Sequence, residues 1–166
     1  MFRQNDVGST KVNAIYKIVE DFCGQQVTTF NQRINGDSPT HYFMFSAFDN
    51  MQARKDLFEV WKRSIPNCPV TPVFIDGRLT MEQLQIFCIT PENMDQYERE
   101  HLFNDSEVED APCTMRQTSH SAAMIASHMV GFFTNHITNI YERDIIREVP
   151  FYYEYFIPLN LTSESV

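Results

Sequence analysis

The segment over residues 41–64 constrains the fold of this chain more than any other. A near-continuous apolar run over residues 41–48 is typical of a buried parallel strand, and it ends abruptly at Asp49. An amphipathic helical pattern follows over residues 50–64, with Arg54 one turn in. A strand that ends in a carboxylate and leads into a helix predicts an open α/β sheet, in which ligands bind outside the carboxyl ends of the strands.

The remaining patterns also indicate both helices and strands. In chain order we predict a helix over residues 11–23, capped by Ser9 or Thr10, a strand over 26–34, a strand over 70–75, a turn at 76–78, an antiparallel strand over 84–90, a loop or short helix over 91–110, a long helix ending near residue 141 and a strand over 148–161. This order predicts part of a doubly wound, Rossmann-like α/β sheet with flanking helices, in a single domain over residues 1–166.

The charge of the chain excludes some classes of partner. It has 22 acidic and 13 basic residues, a net charge of −9, which argues against nucleic acid or an anionic membrane as the main partner. Residues 3–11 are too polar for a signal peptide, and the longest apolar stretch, residues 122–133, is too short to span a bilayer. We therefore expect a cytoplasmic protein.

Two short motifs point to a family. Asp-Val-Gly-Ser-Thr-Lys stands at residues 6–11, and Asp-Asn-Met-Gln-Ala-Arg stands at residues 49–54. In this order they resemble the ATP-site motifs of the ThiF-like superfamily, which comprises ubiquitin-activating enzymes and the bacterial adenylyltransferases for sulfur carriers. The resemblance implies that Lys11 neutralises the phosphates of ATP and that Asp49 holds Mg²⁺ and those phosphates. It extends from residue 2 to about residue 160, which implies the C-terminal portion of a ThiF-like adenylation domain.

The residues themselves leave other roles open. Asp49 is also suited to capping the helix that follows it. Lys11, near a helix start, is also typical of a solvated surface lysine. Arg54 is better explained as a structural residue that pairs with Asp49 or with an adjacent carboxylate.

A cysteine in the second half resembles the nucleophile of ubiquitin-activating enzymes. Ala-Pro-Cys-Thr at residues 111–114 resembles the family's Pro-x-Cys-Thr, although the residue between proline and cysteine is absent here. The resemblance makes Cys113 a candidate nucleophile that would form a thioester with the modifier. The alternative is an inert loop cysteine.

The sequence also departs from the family. Its five glycines contain no Gly-x-Gly-x-x-Gly loop, so no backbone cradle for phosphate is expected from this chain. At least one βαβ unit of the family domain is expected to be absent before residue 1. The four cysteines form no Cys-x-x-Cys pair, which predicts that the zinc carried by many ThiF-like enzymes is absent.

Together these observations lead to two hypotheses of function. The first is a truncated or split relative of the ATP-dependent adenylyltransferases that activate the C-terminus of a ubiquitin-like or sulfur-carrier protein, inactive alone. The second is a non-catalytic protein-interaction subunit of a heteromeric activating complex. Both imply a ubiquitin-like or sulfur-carrier protein as partner and a homo- or hetero-oligomer. ATP and Mg²⁺ are implied as cofactors, but tight binding by this chain alone is not expected.

Overall fold

A computed structural model of the chain describes residues 3–80, 82–103, 119–142 and 144–165. The chain forms two compact units, Met1–Arg33 and Ile34–Val166. The single domain expected over residues 1–166 stays a prediction.

The first unit contains one well-defined helix, α1 (Lys11–Cys23). Thr10 caps it by accepting a hydrogen bond from the Asn13 amide, and Gly24 ends it in the left-handed conformation at φ 69°. Both boundaries confirm the predicted helix. Residues 25–33 are irregular, so the predicted strand over residues 26–34 is wrong. Val27 and Phe30 are exposed, so this part of the alternating pattern has no core to face.

The second unit is built on a five-stranded open sheet with helices on both faces. Its strands are β1 (Phe43–Ser46), β2 (Val73–Thr80), β3 (Gln83–Ile89), β4 (Tyr152–Phe156) and β5 (Leu161–Ser165). Its helices are α2 (Met51–Lys62), α3 (Met94–His101) and α4 (Ser119–Tyr141). The strands lie side by side in chain order; β1 and β2 are parallel, and the other neighbours are antiparallel. The predicted α/β class with flanking helices is confirmed.

Each face of the sheet supports its own hydrophobic core. On one face, the aromatic side chains of α2 and α3 pack on β2 and β3: Phe58 lies 5.4 Å from Phe74 and 5.1 Å from Tyr97, between ring centroids. On the other face, α4 packs on the aliphatic side chains of the same strands through Ile125 and Met129. β2 and β3 are therefore covered on both sides, which suits the consecutive apolar residues at 73–75 and 86–89.

Two predicted boundaries differ from the structure. The turn predicted at residues 76–78 is wrong, because these residues lie inside β2. Gly77 is needed there for a different reason: a Cβ atom at this position would collide with the side chain of Met129, so glycine lets α4 approach the strand. The single strand predicted over residues 148–161 is two antiparallel strands, β4 and β5, and Asn160 at φ 52° lies between them.

In the part of the chain that the structure describes, no helix is both long enough and apolar enough to cross a membrane. The cytoplasmic location stays a prediction.

Candidate ligand-binding cleft

A cleft of about 490 Å³ opens in the second unit at the carboxyl end of β1. β1 pairs with β2 from Phe43 opposite Val73 to Ser46 opposite Asp76, and β2 then continues to Thr80 beyond the end of β1. The cleft is lined by the loop after β1, the start of α2, the last residues of β2, the first half of α4 and Phe103. It lies where ligands bind in open α/β sheets, outside the carboxyl end of a parallel strand.

Asp49 lies on the wall of this cleft and is exposed. The helix that follows is capped by Asn50, whose side-chain oxygen accepts a hydrogen bond of 2.8 Å from the Ala53 amide. The Asp49 carboxylate instead accepts a hydrogen bond of 3.2 Å from the Asn50 side chain. Asn50 thus has the capping role that the sequence left open for Asp49, and the Asp49 carboxylate remains accessible to a ligand.

Arg54 ties the loop after β1 to the neighbouring strand. It is 7% exposed, and its guanidinium donates hydrogen bonds to the Asp76 carboxylate, to the Gly77 carbonyl at 3.1 Å and to the Phe48 carbonyl. The structural interpretation of Arg54 is confirmed, but its carboxylate partner is Asp76 of β2 and not Asp49. Arg54 fixes the position of the loop that carries Asp49.

Arg78 approaches the same carboxylate from the other side. Its Nε donates to Asp76 at 2.7 Å, and its Nη2 donates to the Tyr97 hydroxyl at 3.2 Å and to the His101 carbonyl at 3.0 Å. Tyr97 in turn donates to Asp76 at 2.8 Å. Asp76 has no exposed surface, so it is a buried carboxylate shared by two arginines and a tyrosine.

The charges of this cluster do not cancel. Two guanidinium groups, on Arg54 and Arg78, share the single carboxylate of Asp76, which leaves one positive charge in excess. Burial, and next the charge of Asp76, raise the pKa of Tyr97, so its hydroxyl stays neutral. Burial by itself lowers the pKa of Arg78, but the neighbouring Asp76 carboxylate opposes this and the net direction is upward. Arg78 therefore remains a cation beside the cleft.

The other predicted site residues lie elsewhere. Lys11 is the first residue of α1, exposed, in the first unit, where it lines a cavity of about 180 Å³ with Arg3 and Asp6. Because Asp49 belongs to the second unit, a site shared by Lys11 and Asp49 stays a prediction. Cys113 lies outside the described residues, so its role as a nucleophile also stays a prediction.

Asp76, Arg78 and Tyr97 were not recognised from the sequence as a cluster. One sequence signal could have indicated the cluster: Asp76 and Arg78 are charged residues on either side of a glycine, and apolar residues stand before and after them. The pattern predicts a turn, because Asp-Gly is a strong turn signal. The partner Tyr97 is 21 residues away from Asp76, and no local pattern connects them.

Within the described ranges, no three His, Cys, Asp or Glu side chains come together in a way that could hold a metal ion. Among the described residues that line the cleft, Asp49 is the one carboxylate.

Comparison with known proteins gives a likeness of fold alone. No protein-family profile matches the chain, and no curated protein sequence matches it. Solved structures do match, among them the crystal structure of PaaA determined with selenomethionine, at a TM-score of 0.59 and 15% sequence identity. The match covers 99% of this chain and 57% of that one, so this chain spans little more than half the length of PaaA.

Proposed function

We propose that the chain belongs to a Rossmann-like, ThiF-type adenylation domain, and that the cleft beside Asp49 receives the phosphates of Mg-ATP. The observation that carries the proposal is the position of Asp49. It is an exposed carboxylate at the carboxyl end of a parallel strand, relieved of helix capping by Asn50 and held in place through Arg54. A carboxylate so placed suits a Mg²⁺ ion that accompanies a phosphate.

The described residues suit the Mg²⁺ ion and the negative charge of Mg-ATP, but they provide no glycine-rich loop for its phosphates. Asp49 would hold Mg²⁺ directly or through water, and the excess positive charge of the arginine cluster favours an anion nearby. A glycine-rich cradle is not available from this sequence, and such loops supply many of the phosphate contacts in nucleotide sites. We therefore propose that the chain alone binds Mg-ATP weakly and does not catalyse adenylation by itself.

The proposal is tested by titrating the ¹⁵N-labelled chain with Mg-ATP and following its backbone amides by NMR. We expect weak, saturable shifts at Asp49, Asn50 and Gly77, and a loss of these shifts in Asp49→Asn, because the amide is a poorer ligand for Mg²⁺. The matched control is Asp95→Asn, which removes an exposed carboxylate of α3 outside the cleft.

Two outcomes would contradict the proposal. The first is a set of shifts that saturates away from the cleft, and the second is an equal loss of binding in both variants. Micromolar affinity for Mg-ATP in the unmodified chain would contradict the proposal that binding is weak because the sequence has no glycine-rich phosphate loop.

The second candidate function is a non-catalytic interaction subunit, with a ubiquitin-like or sulfur-carrier protein, or a related chain, as its partner. It is favoured by apolar surface on α4 in the second unit. A groove of about 330 Å³ is lined mainly by the apolar surface of Phe133, Ile137 and Tyr141, and Val130 is 57% exposed on the same helix. Exposed apolar patches of this kind commonly mark protein contacts.

A further inference from the structure

We propose that Arg78 is the recognition point for an oxyanion, a carboxylate or phosphate group of the ligand, in the cleft at the carboxyl end of β1. The inference rests on the proposed function only in placing a ligand in this cleft. It adds the residue that contacts the ligand and the chemical class of the contacted group.

The guanidinium of Arg78 is held in one orientation before any ligand arrives. Three hydrogen bonds from Nε and Nη2 fix its plane, and it stacks on the Phe87 ring at 4.6 Å from the ring centroid. Arginine loses side-chain entropy on binding, and a guanidinium that is already fixed avoids most of that cost.

The third guanidinium nitrogen, Nη1, has its N–H groups to spare. It donates no hydrogen bond to any residue that the structure describes, although Arg78 is only 9% exposed. Ser46 Oγ is the one side-chain atom among the described residues that is both fully buried and without a hydrogen-bond partner. Nη1 also lacks a partner, so it is not fully buried and retains some accessible surface. Arg78 is one of the residues that line the cleft, so an anion bound in the cleft would lie beside this residue.

The charge around Nη1 favours an anion. The charged residues that line the cleft are Asp49, Arg54 and Arg78. Arg54 and Arg78 share the one carboxylate of Asp76, whereas Asp49 is exposed and its charge is screened by water and salt. An unbalanced charge in a buried cluster attracts a counterion more strongly than one on an open surface.

The cleft has room for either source of the oxyanion. Its walls carry small side chains at Ala122 and Ala126, and Gly77 is part of its lining. The terminal carboxylate of an extended peptide and the phosphate of a nucleotide both suit charge-assisted hydrogen bonds from one guanidinium nitrogen. The shared chemistry is an oxyanion, and the experiment separates the two sources.

The test follows the guanidinium ¹⁵N resonance of Arg78 in the full chain, at constant ionic strength and without nucleotide or magnesium. Inorganic pyrophosphate supplies phosphate oxygens, N-acetylglycine supplies a carboxylate, and N-acetylglycinamide is the neutral control. We expect one or both anions, and not the amide, to shift this resonance saturably. A response to pyrophosphate alone identifies a phosphate site, and a response to N-acetylglycine alone identifies a carboxylate site.

Substitution then tests whether Arg78 is responsible for the anion affinity. Arg78→Gln is expected to weaken anion binding by about tenfold or more, the size of one lost charge-assisted hydrogen bond. Arg99→Gln, which removes the same charge from an exposed arginine of α3, is expected to leave it unchanged. The proposal is overturned if neither anion shifts the Arg78 resonance or if Arg78→Gln binds as the parent does. If Arg78→Gln does not fold, the resonance in the parent chain decides.

This result is independent of the Mg-ATP titration. Anion binding at Arg78 together with no Mg-ATP response at Asp49 would remove the proposed function and leave the oxyanion site. The opposite pair of results would remove the oxyanion site and leave the proposed function.

Discussion

At the scale of single residues, the second unit is organised around one carboxylate. Asp76 has no exposed surface and accepts hydrogen bonds from Arg54, Arg78 and Tyr97. A buried ion is stable only when its remaining lone pairs are satisfied, and these donors do so. The same contacts fix Arg54 under the loop of Asp49 and Arg78 beside the cleft. The fold and the wall of the cleft therefore depend on the same side chain.

Removing the charge of Asp76 should destabilise the chain strongly. Asp76→Asn keeps the shape of the side chain but leaves two buried guanidinium groups without a counter-charge, and such a change typically costs about 3–5 kcal/mol. The measurement is the free energy of unfolding in urea. The control is Asp21→Asn, which breaks the exposed ion pair between Arg3 and Asp21 and should cost within about 1 kcal/mol. Equal losses in the two variants would show that the cluster does not stabilise the fold.

Cys88 gives the chain a dependence on alkaline pH. Burial in the core between the sheet and α4 raises the pKa of its thiol from 9.0 to about 12. The folded pKa is above the unfolded one, so the contribution to stability is complete below pH 9 and is lost as the pH rises from 9 towards 12. The loss is at most about 1.4 kcal/mol per pH unit, because the unfolded thiol ionises while the folded one does not.

Urea unfolding at several pH values from 9 upwards, kept below the ordinary tyrosine pKa of 10.0, limits the contribution of the tyrosines, and comparison with a cysteine variant assigns the rest. We expect the Cys88→Ala variant to show a smaller slope of stability against pH than the parent chain. Cys23→Ala, which changes an exposed cysteine, should keep the parental slope. A parental slope in Cys88→Ala would contradict the assignment.

At the scale of elements, local chemistry predicted those boundaries that depend on neighbouring residues. Thr10 and Gly24 delimit α1, and Asn50 begins α2, because caps and left-handed glycines act within one turn. Long-range packing decided the rest. Residues 76–78 form strand because β3 pairs with them and α4 covers Gly77, and neither contact is visible in a local pattern.

The candidate site also has features that local sequence signals predict and features that depend on long-range contacts. The position of Asp49 at the end of a parallel strand followed from an apolar run and a helix start, both of them local signals. The sequence predicts that Arg54 pairs with Asp49 or an adjacent carboxylate, but its partner in the structure is Asp76. Asp76 comes 22 residues later, on the strand that pairs with β1, so no local pattern connects it with Arg54. Arg78 and Tyr97 join the cluster through contacts of the same long-range kind.

At the scale of the whole molecule, the sheet has an apolar strand at one edge. In the described residues β2 alone pairs with β1, so β1 is an edge of the sheet. Edge strands usually carry a charge, a proline or a bulge that prevents further pairing, yet residues 43–46 contain no charged residue and no proline. Phe45 is 42% exposed there and packs on Phe133 of α4, at 5.3 Å between ring centroids.

We therefore expect the chain to self-associate through the surface formed by β1 and the exposed apolar residues of α4. Light scattering over a range of protein concentrations should show a mass that rises above 19.5 kDa at tens of micromolar. Val130→Lys, which places a charge on α4, should shift the association to higher concentration because the charge must lose its hydration at a contact. Val7→Lys makes the same change at an exposed valine of the first unit and should leave the association as it is. A constant monomer mass in the parent chain would contradict self-association, and an equal effect of the two lysines would place the contact elsewhere.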